Sequence, residues 1–158
     1  MVILPTSRRL SDMATTTVKD FLAAKQTQIA ALMNGGNKLF NSVWVGPTLD
    51  IEKTLSVNRC PMALLSDFGG TLQRPNGKVW DRRFSVTAIV SRPRDFVGQK
   101  AAFDLLEIGD VLVPALTNDR SNNAVFCYAE SEELMLPTET GTQFFAKSWH
   151  FQYCIEIA

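Results

Sequence analysis

The sequence predicts an α+β fold, a mainly antiparallel sheet of about four to five strands with two helices packed on one face. Three observations predict it. Two segments carry apolar residues at the spacing of an amphipathic helix. Four others are rich in β-branched and aromatic residues, and two of these alternate with period two. The order of elements is helix, two strands, a longer strand, helix and a terminal strand pair, and two helices against one face of such a sheet make an α+β sandwich. Residues 15–158 form this single domain. Residues 1–14 are expected to be a flexible arm, because Pro5, Ser7, Arg8 and Arg9 offer no periodicity.

The first helix starts after Thr17, with Asp20 three residues on in a capping-box arrangement. Val18, Phe21, Leu22, Ile29, Leu32 and Met33 form its apolar stripe, and Asn34-Gly35-Gly36 supplies residues that tolerate left-handed angles at a helix end. Leu39 to Val45 reads as a strand stopped by Gly46-Pro47. Leu49 to Val57 fits either a short helix or an irregular crossing. Met62-Ala63-Leu64-Leu65 fits a buried strand, entered through Pro61 and ended by Asp67-Phe68-Gly69-Gly70. After a turn at residues 74–78, Trp80 to Val90 alternates: Phe84, Val86, Ala88 and Val90 lie on one side, Arg83, Ser85 and Thr87 on the other. The second helix starts near Asp95, includes Ala101, Ala102, Phe103, Leu105, Leu106 and Ile108, and is expected to end or kink between Gly109 and Pro114, because proline cannot donate to the carbonyl four residues back.

Two strands close the chain, at Ala124–Ser131 and at Gln143–Ile157, joined by a hairpin connection at residues 136–141. The last has the cleanest alternation, with Trp149, Phe151, Tyr153, Ile155 and Ile157 opposite Ser148, His150, Gln152, Cys154 and Glu156. The expected core draws on Phe21, Leu22, Ile29, Val43, Leu64, Val86, Phe103, Leu106, Trp149, Phe151 and Tyr153.

Composition narrows the function classes. The chain has 158 residues, 46% of them hydrophobic and 20% charged, which excludes a disordered polyelectrolyte. A chain of this size buries roughly 68–70% of its extended surface, so a core needs no covalent staples. No apolar run approaches the ~18 residues of a membrane helix, and the N-terminus lacks the apolar stretch and cleavage site of a secretory signal. Cys60, Cys127 and Cys154 are odd in number and irregularly spaced, so they read as buried reduced thiols. A soluble, intracellular single domain is expected.

Sixteen Lys and Arg balance sixteen Asp and Glu, which argues against a generic DNA-coating or membrane-surface protein. The balance hides an asymmetry. Residues 1–100 hold fourteen basic and seven acidic side chains; residues 101–158 hold only Arg120 and Lys147 against nine acids. Interleaved in one domain, these segments would give a mixed surface. Segregated, they would give a unit with one basic and one acidic face, suited to head-to-tail contacts that close into rings.

Catalytic chemistry finds little purchase. His150 is the single histidine. Cys154 lies four residues on, a metal spacing on a helix, but in a strand the two stand about 13 Å apart. A Cys–His nucleophile pair would require Cys60 or Cys127 to meet His150 in space. No GxSxG, HExxH, EF-hand loop or phosphate-binding glycine motif occurs, and Gly69-Gly70 signals a turn or a bulge. Glu130, Glu132, Glu133 and Glu139 read as solvated acids rather than a cation site. Between Arg74 and Arg83 the chain gathers Arg74, Lys78, Trp80, Arg82 and Arg83. An exposed hairpin with solvated charges is the simple reading; on a ring the same set could line a channel and meet a polyanion.

The capped N-terminal helix, the run Cys60-Pro61-Met62-Ala63-Leu64-Leu65, the strand Arg82 to Val90, the helix Gln99 to Ile108 and the ending Phe151-Gln152-Tyr153-Cys154-Ile155-Glu156-Ile157 together resemble the tail terminator (tail completion) proteins of tailed bacteriophages. The resemblance runs from about Thr17 to the end and rests on element order and these short stretches. It implies a non-enzymatic virion protein, assembled in the host cytoplasm, whose hexameric ring caps the tail tube and joins it to the head–tail connector, with DNA passing through the lumen without sequence-specific binding. It implies no cofactor, metal or catalytic residue. Arg74, Lys78, Arg82 and Arg83 are compatible with a DNA-facing lumen, and Arg8 and Arg9 with an arm that orders on assembly. The alternative is a small intracellular enzyme or ligand-binding domain with a pocket between helices and sheet. A third reading is a nucleic-acid-binding module built on the Arg74–Arg83 hairpin.

Overall fold

Thr17 begins the first helix because its extended backbone leaves the hydroxyl free to accept the Asp20 N–H, at 3.0 Å. In this computed structural model, which describes residues 16–46, 59–72, 78–93, 95, 98–117, 124–135 and 144–156, the helix α1 spans Val18–Ala30 and buries Phe21, Leu22, Lys25 and Ile29. It ends at Ala31, before the expected Asn34-Gly35-Gly36 stop. Those residues instead turn a small hairpin between β1 (Met33–Asn34) and β2 (Asn37–Lys38), with Gly35 at φ +64°. A left-handed residue serves a helix end and a tight hairpin equally, so the local signal was right about the angle and wrong about the element.

The main sheet has five strands in the order β3-β4-β5-β7-β6. β3 (Ser42–Val45) pairs in parallel with β4 (Met62–Leu72); every other pairing, through β5 (Val79–Ser91), β6 (Ala124–Met135) and β7 (Phe144–Glu156), is antiparallel. The architecture is therefore α+β, with two helices and seven strands among the described residues. β3 is shorter than expected, and Leu39 and Phe40 fill the core from outside it. β4 is longer: it runs through Asp67-Phe68-Gly69-Gly70, where Gly69 takes φ +81° and the register slips between Asp67 and Gly70. This is a bulge rather than a stop. Gly70 lies so close to the Asp81 carbonyl and to Arg82 that no side chain fits there. The expected segment at Leu49–Val57 and the hairpin connection at 136–141 lie outside the described residues.

The second helix, α2 (Gln99–Leu116), follows Gly98 in a left-handed conformation, and the Asp95 carboxylate accepts the Ala101 N–H at 2.9 Å. Of the expected end or kink between Gly109 and Pro114, the end does not occur: the helix continues to Leu116 with Pro114 inside it. Pro114 leaves the Asp110 carbonyl without its helical donor, but both residues sit on the exposed side of the helix, open to water. Burial of Leu112 and Leu116 holds the last turn.

Both helices cover one face of the sheet, where aromatic rings form the centre of the core. Phe21 of α1 stacks on Tyr153 with ring centroids 4.2 Å apart, and Phe84 stacks on Phe151 at 5.1 Å. Gly109 of α2 lets Trp149 approach so closely that a Cβ there would lie 2.9 Å from the indole. Of the expected core, Val43 packs at its margin and Leu64 is half-buried, its neighbour Leu65 taking the inward position. Phe103 and Leu106 are 62% and 51% exposed. The reason is helical phase: Ala101, Leu105, Ile108, Gly109, Leu112 and Leu116 share the face that meets the sheet, and Phe103 and Leu106 fall outside that arc.

Helical phase predicts opposite costs for neighbouring apolar residues. Leu105→Ala should destabilise by about 2–5 kcal/mol, whereas Phe103→Ala should change stability by less than about 0.5 kcal/mol, both read from urea unfolding midpoints.

Candidate functional site

Strand alternation divides the expected basic cluster. Arg82 points to the helix-covered face and Arg83 to the open one. Arg82 is buried, donates to the Asp67 carboxylate at 2.6 Å, and lies 4.7 Å above the Trp80 ring and beside Tyr153. Burial works against its positive charge, but the Asp67 carboxylate and the Tyr153 hydroxyl outweigh that and raise its pKa. As a lumen-facing residue Arg82 is therefore corrected: the period of two that exposes Arg83 turns its neighbour inward. Arg83 is exposed and pairs with Glu130 at 3.0 Å, and Lys78 is exposed. Arg74, Arg8 and Arg9 lie outside the described residues.

The second face of the sheet is polar along its middle and apolar at one end. It carries Ser85, Thr87, Ser148, His150 and Gln152, with a 2.6 Å hydrogen bond between the Thr87 and Ser148 hydroxyls, and a buried cluster of Cys60, Met62 and Ile89. His150 is partly exposed, 3.7 Å from Glu133 and edge-on to the Phe68 ring. Cys154 shares its face four residues along the strand, where burial first and the neighbouring Asp81 second push its thiol up to about 12. Burial likewise raises the Cys60 thiol. Both thiols are held in the protonated form, the weaker nucleophile. Among the described residues no three His, Cys, Asp or Glu side chains come together as a metal site. Glu130, Glu132 and Glu133 instead take separate partners in Arg83, Lys147 and His150, and Glu139 lies outside the described residues.

A cavity of about 340 Å³ opens between the β1–β2 hairpin, the end of β5 and α2. Part of its polar wall is paired, with Arg92 bonded to Asp104 through two hydrogen bonds and Asn34 donating to Glu107 at 2.7 Å, while the Ser91 hydroxyl is buried in it without a hydrogen-bond partner. Among the described helices none is long and apolar enough to cross a membrane.

The sheet order also locates the charge asymmetry. The elements before residue 99 supply β3, β4 and β5; those from 124 onward supply β7 and β6. The halves meet along β5–β7, and their charges meet as well: Arg83 of β5 pairs with Glu130 of β6, and Arg92 after β5 pairs with Asp104 of α2. The β6 edge carries Glu130, Glu132 and Glu133, whereas Asp104 and Glu107 of α2 line the cavity together with Asn34 and Lys38 of the β1–β2 hairpin. At the β3 edge Arg59 lies 5.6 Å from the Trp44 ring, and Lys19 and Lys38 are exposed on α1 and β2. Composition counted these charges; only strand order could place them. The Arg82–Asp67 pair had no signal in the sequence, because fifteen residues and a bulge separate its members.

No protein-family profile matches the chain, and no curated protein sequence is detectably similar to it.

Two outcomes follow from the buried groups. Tyr153, like Cys154, is pushed up to about 12, in its case by burial and then by Asp67. Both groups hold their protons more firmly folded than unfolded, so they favour the fold fully below their ordinary values of 10.0 and 9.0. That contribution is lost as pH rises toward about 12. Melting temperature should therefore fall as pH climbs above 9, and less steeply in Tyr153→Phe. Asp67→Ala strands the buried Arg82 and should cost about 2 kcal/mol in chemical unfolding, with a smaller loss when combined with Arg82→Met.

Proposed function

We propose that the chain is a structural virion subunit, a tail terminator or closely related head–tail joining protein, whose copies assemble head to tail into a ring on the tail tube. One observation carries this reading: the sheet ends in β6, which bears Glu130, Glu132 and Glu133, on one side and in β3, with Arg59 against its Trp44 ring, on the other. Complementary opposite edges make each copy donor and acceptor of the same contact. Such heterologous contacts close into a ring when the rotation between copies allows it, and the opposed charges select orientation and speed encounter.

The α+β architecture is compatible with the same reading. The hexameric copy number, the tail-tube and connector partners and the passage of DNA through the lumen follow from the family resemblance. Lys78 and Arg83 retain the role of lumen-facing charges, joined by Arg74; Arg82 does not, because it is spent on Asp67. Arg8 and Arg9 keep their assignment to an assembly arm.

Light scattering and negative-stain images of the purified chain, alone and with tail tubes, test the proposal. The expected result is a ring that attaches to tube ends and loosens as salt screens the edge charges. A strict monomer that ignores tube ends would reject it.

A further inference from the structure

We infer that the cavity between the β1–β2 hairpin, the end of β5 and α2 is a binding site for a small zwitterion with an aliphatic side chain, in chemical class an amino acid. The inference goes beyond the assembly reading and does not rest on it. At about 340 Å³ the cavity falls at the lower end of the range of small-molecule sites. Leu39, Val90 and Ile108, all buried, form its inner wall, with Cys60 beside them. Burial raises the Cys60 thiol, so this part of the wall stays uncharged and favours hydrocarbon over an ionised group.

The polar groups divide into those already paired and those still open. Arg92 and Asp104 neutralise one another. The Ser91 hydroxyl is buried in the wall, and no protein group bonds to it. A buried hydroxyl left unmet is destabilising, so one that lines a cavity calls for a partner inside the cavity, either a ligand or a water. Neither Asn37 nor Lys38 makes a side-chain hydrogen bond or ion pair with the described residues, and both line the same space.

Charge decides the class of ligand. Lys38 and Glu107 stand exposed at the rim with opposite signs, and they form no ion pair with each other. The Asn34 amide bonded to Glu107 is neutral and leaves the carboxylate charge uncompensated. A simple anion would be drawn to Lys38 and repelled by Glu107; a simple cation would meet the reverse. A molecule carrying both charges satisfies both, and its carboxylate supplies an acceptor for the Ser91 hydroxyl and the Asn37 amide. The hairpin register keeps the required span short: Asn34, which holds Glu107, is the cross-strand partner of Asn37, the neighbour of Lys38. Adjacent ammonium and carboxylate groups on one small aliphatic molecule fit that arrangement.

Isothermal titration calorimetry of the full chain with L-valine, L-leucine and L-methionine tests the site, with circular dichroism confirming that each variant is folded. At least one of the three should bind with a Kd below about 1 mM. The single-charge analogues of leucine, 4-methylpentanoate and 3-methylbutylamine, should bind about tenfold more weakly or not at all. Lys38→Gln and Glu107→Gln should each weaken binding by about tenfold; the glutamine keeps an acceptor for Asn34, so the second variant removes only the charge. Ser91→Ala should weaken it by about threefold. If none of the three amino acids binds, the site is overturned and the cavity holds water only. Equal affinity for the single-charge analogues, or unchanged affinity in Lys38→Gln and Glu107→Gln, overturns the zwitterion assignment.

Discussion

The pairing of β5 with β7 is the constraint on which the remaining structure depends. Val79 to Ser91 meets Phe144 to Glu156 in an unbroken antiparallel register, bringing together segments more than fifty residues apart. This one ladder joins the two halves of the sheet and aligns Phe84, Phe151 and Tyr153 as a stacked aromatic floor. α1 docks because Phe21 completes that stack, and α2 docks because Gly109 lets Trp149 reach its backbone. Aromatic pairs in such geometry add about 0.5–1.5 kcal/mol beyond the area they bury. The helices are thus placed by the rings and the rings by the register.

Past the end of this aromatic floor the covered face becomes polar without becoming open. Arg82, Asp67, Tyr153 and Trp80 form a compact group in which the guanidinium is both paired and stacked. A buried cation is costly unless its carboxylate is held at good geometry. The bulge between Asp67 and Gly70 sits where β4 supplies that carboxylate, and Gly70 allows the strands to close around Arg82. A residue that sequence patterning assigns to a nucleic-acid surface is in this way part of the scaffold.

The same ladder decides which strands become edges. Because β5 and β7 are internal to the sheet, β3 ends it on one side and β6 on the other. Glu130, Glu132 and Glu133 thereby come to one edge, and Arg59 lies against the Trp44 ring at the other. For a subunit proposed to repeat around a ring, that polarity gives orientation, and the glutamates on β6 penalise the reversed contact.

Much of the fold was legible in the chain because it depends on local chemistry. Thr17 and Asp20 start a helix through one hydrogen bond, and the alternation from Phe144 to Glu156 needs only period two to assign its faces. Three local signals fitted more than one element. Asn34-Gly35-Gly36, Gly69-Gly70 and Pro114 are ambiguous punctuation, and each was resolved by what packed around it: a hairpin, a bulge, and a helix carried onward by Leu112 and Leu116. The phase of α2 was also undecided locally, since apolar residues occupy more of its circumference than the sheet covers. What the sequence determined alone was therefore the kind of element, the strand faces and the total charge. Tertiary structure alone decided which arginine is buried, which face of α2 is exposed, and that Glu130, Glu132 and Glu133 stand on an edge strand, because each depends on strand order and contacts between residues far apart in the chain.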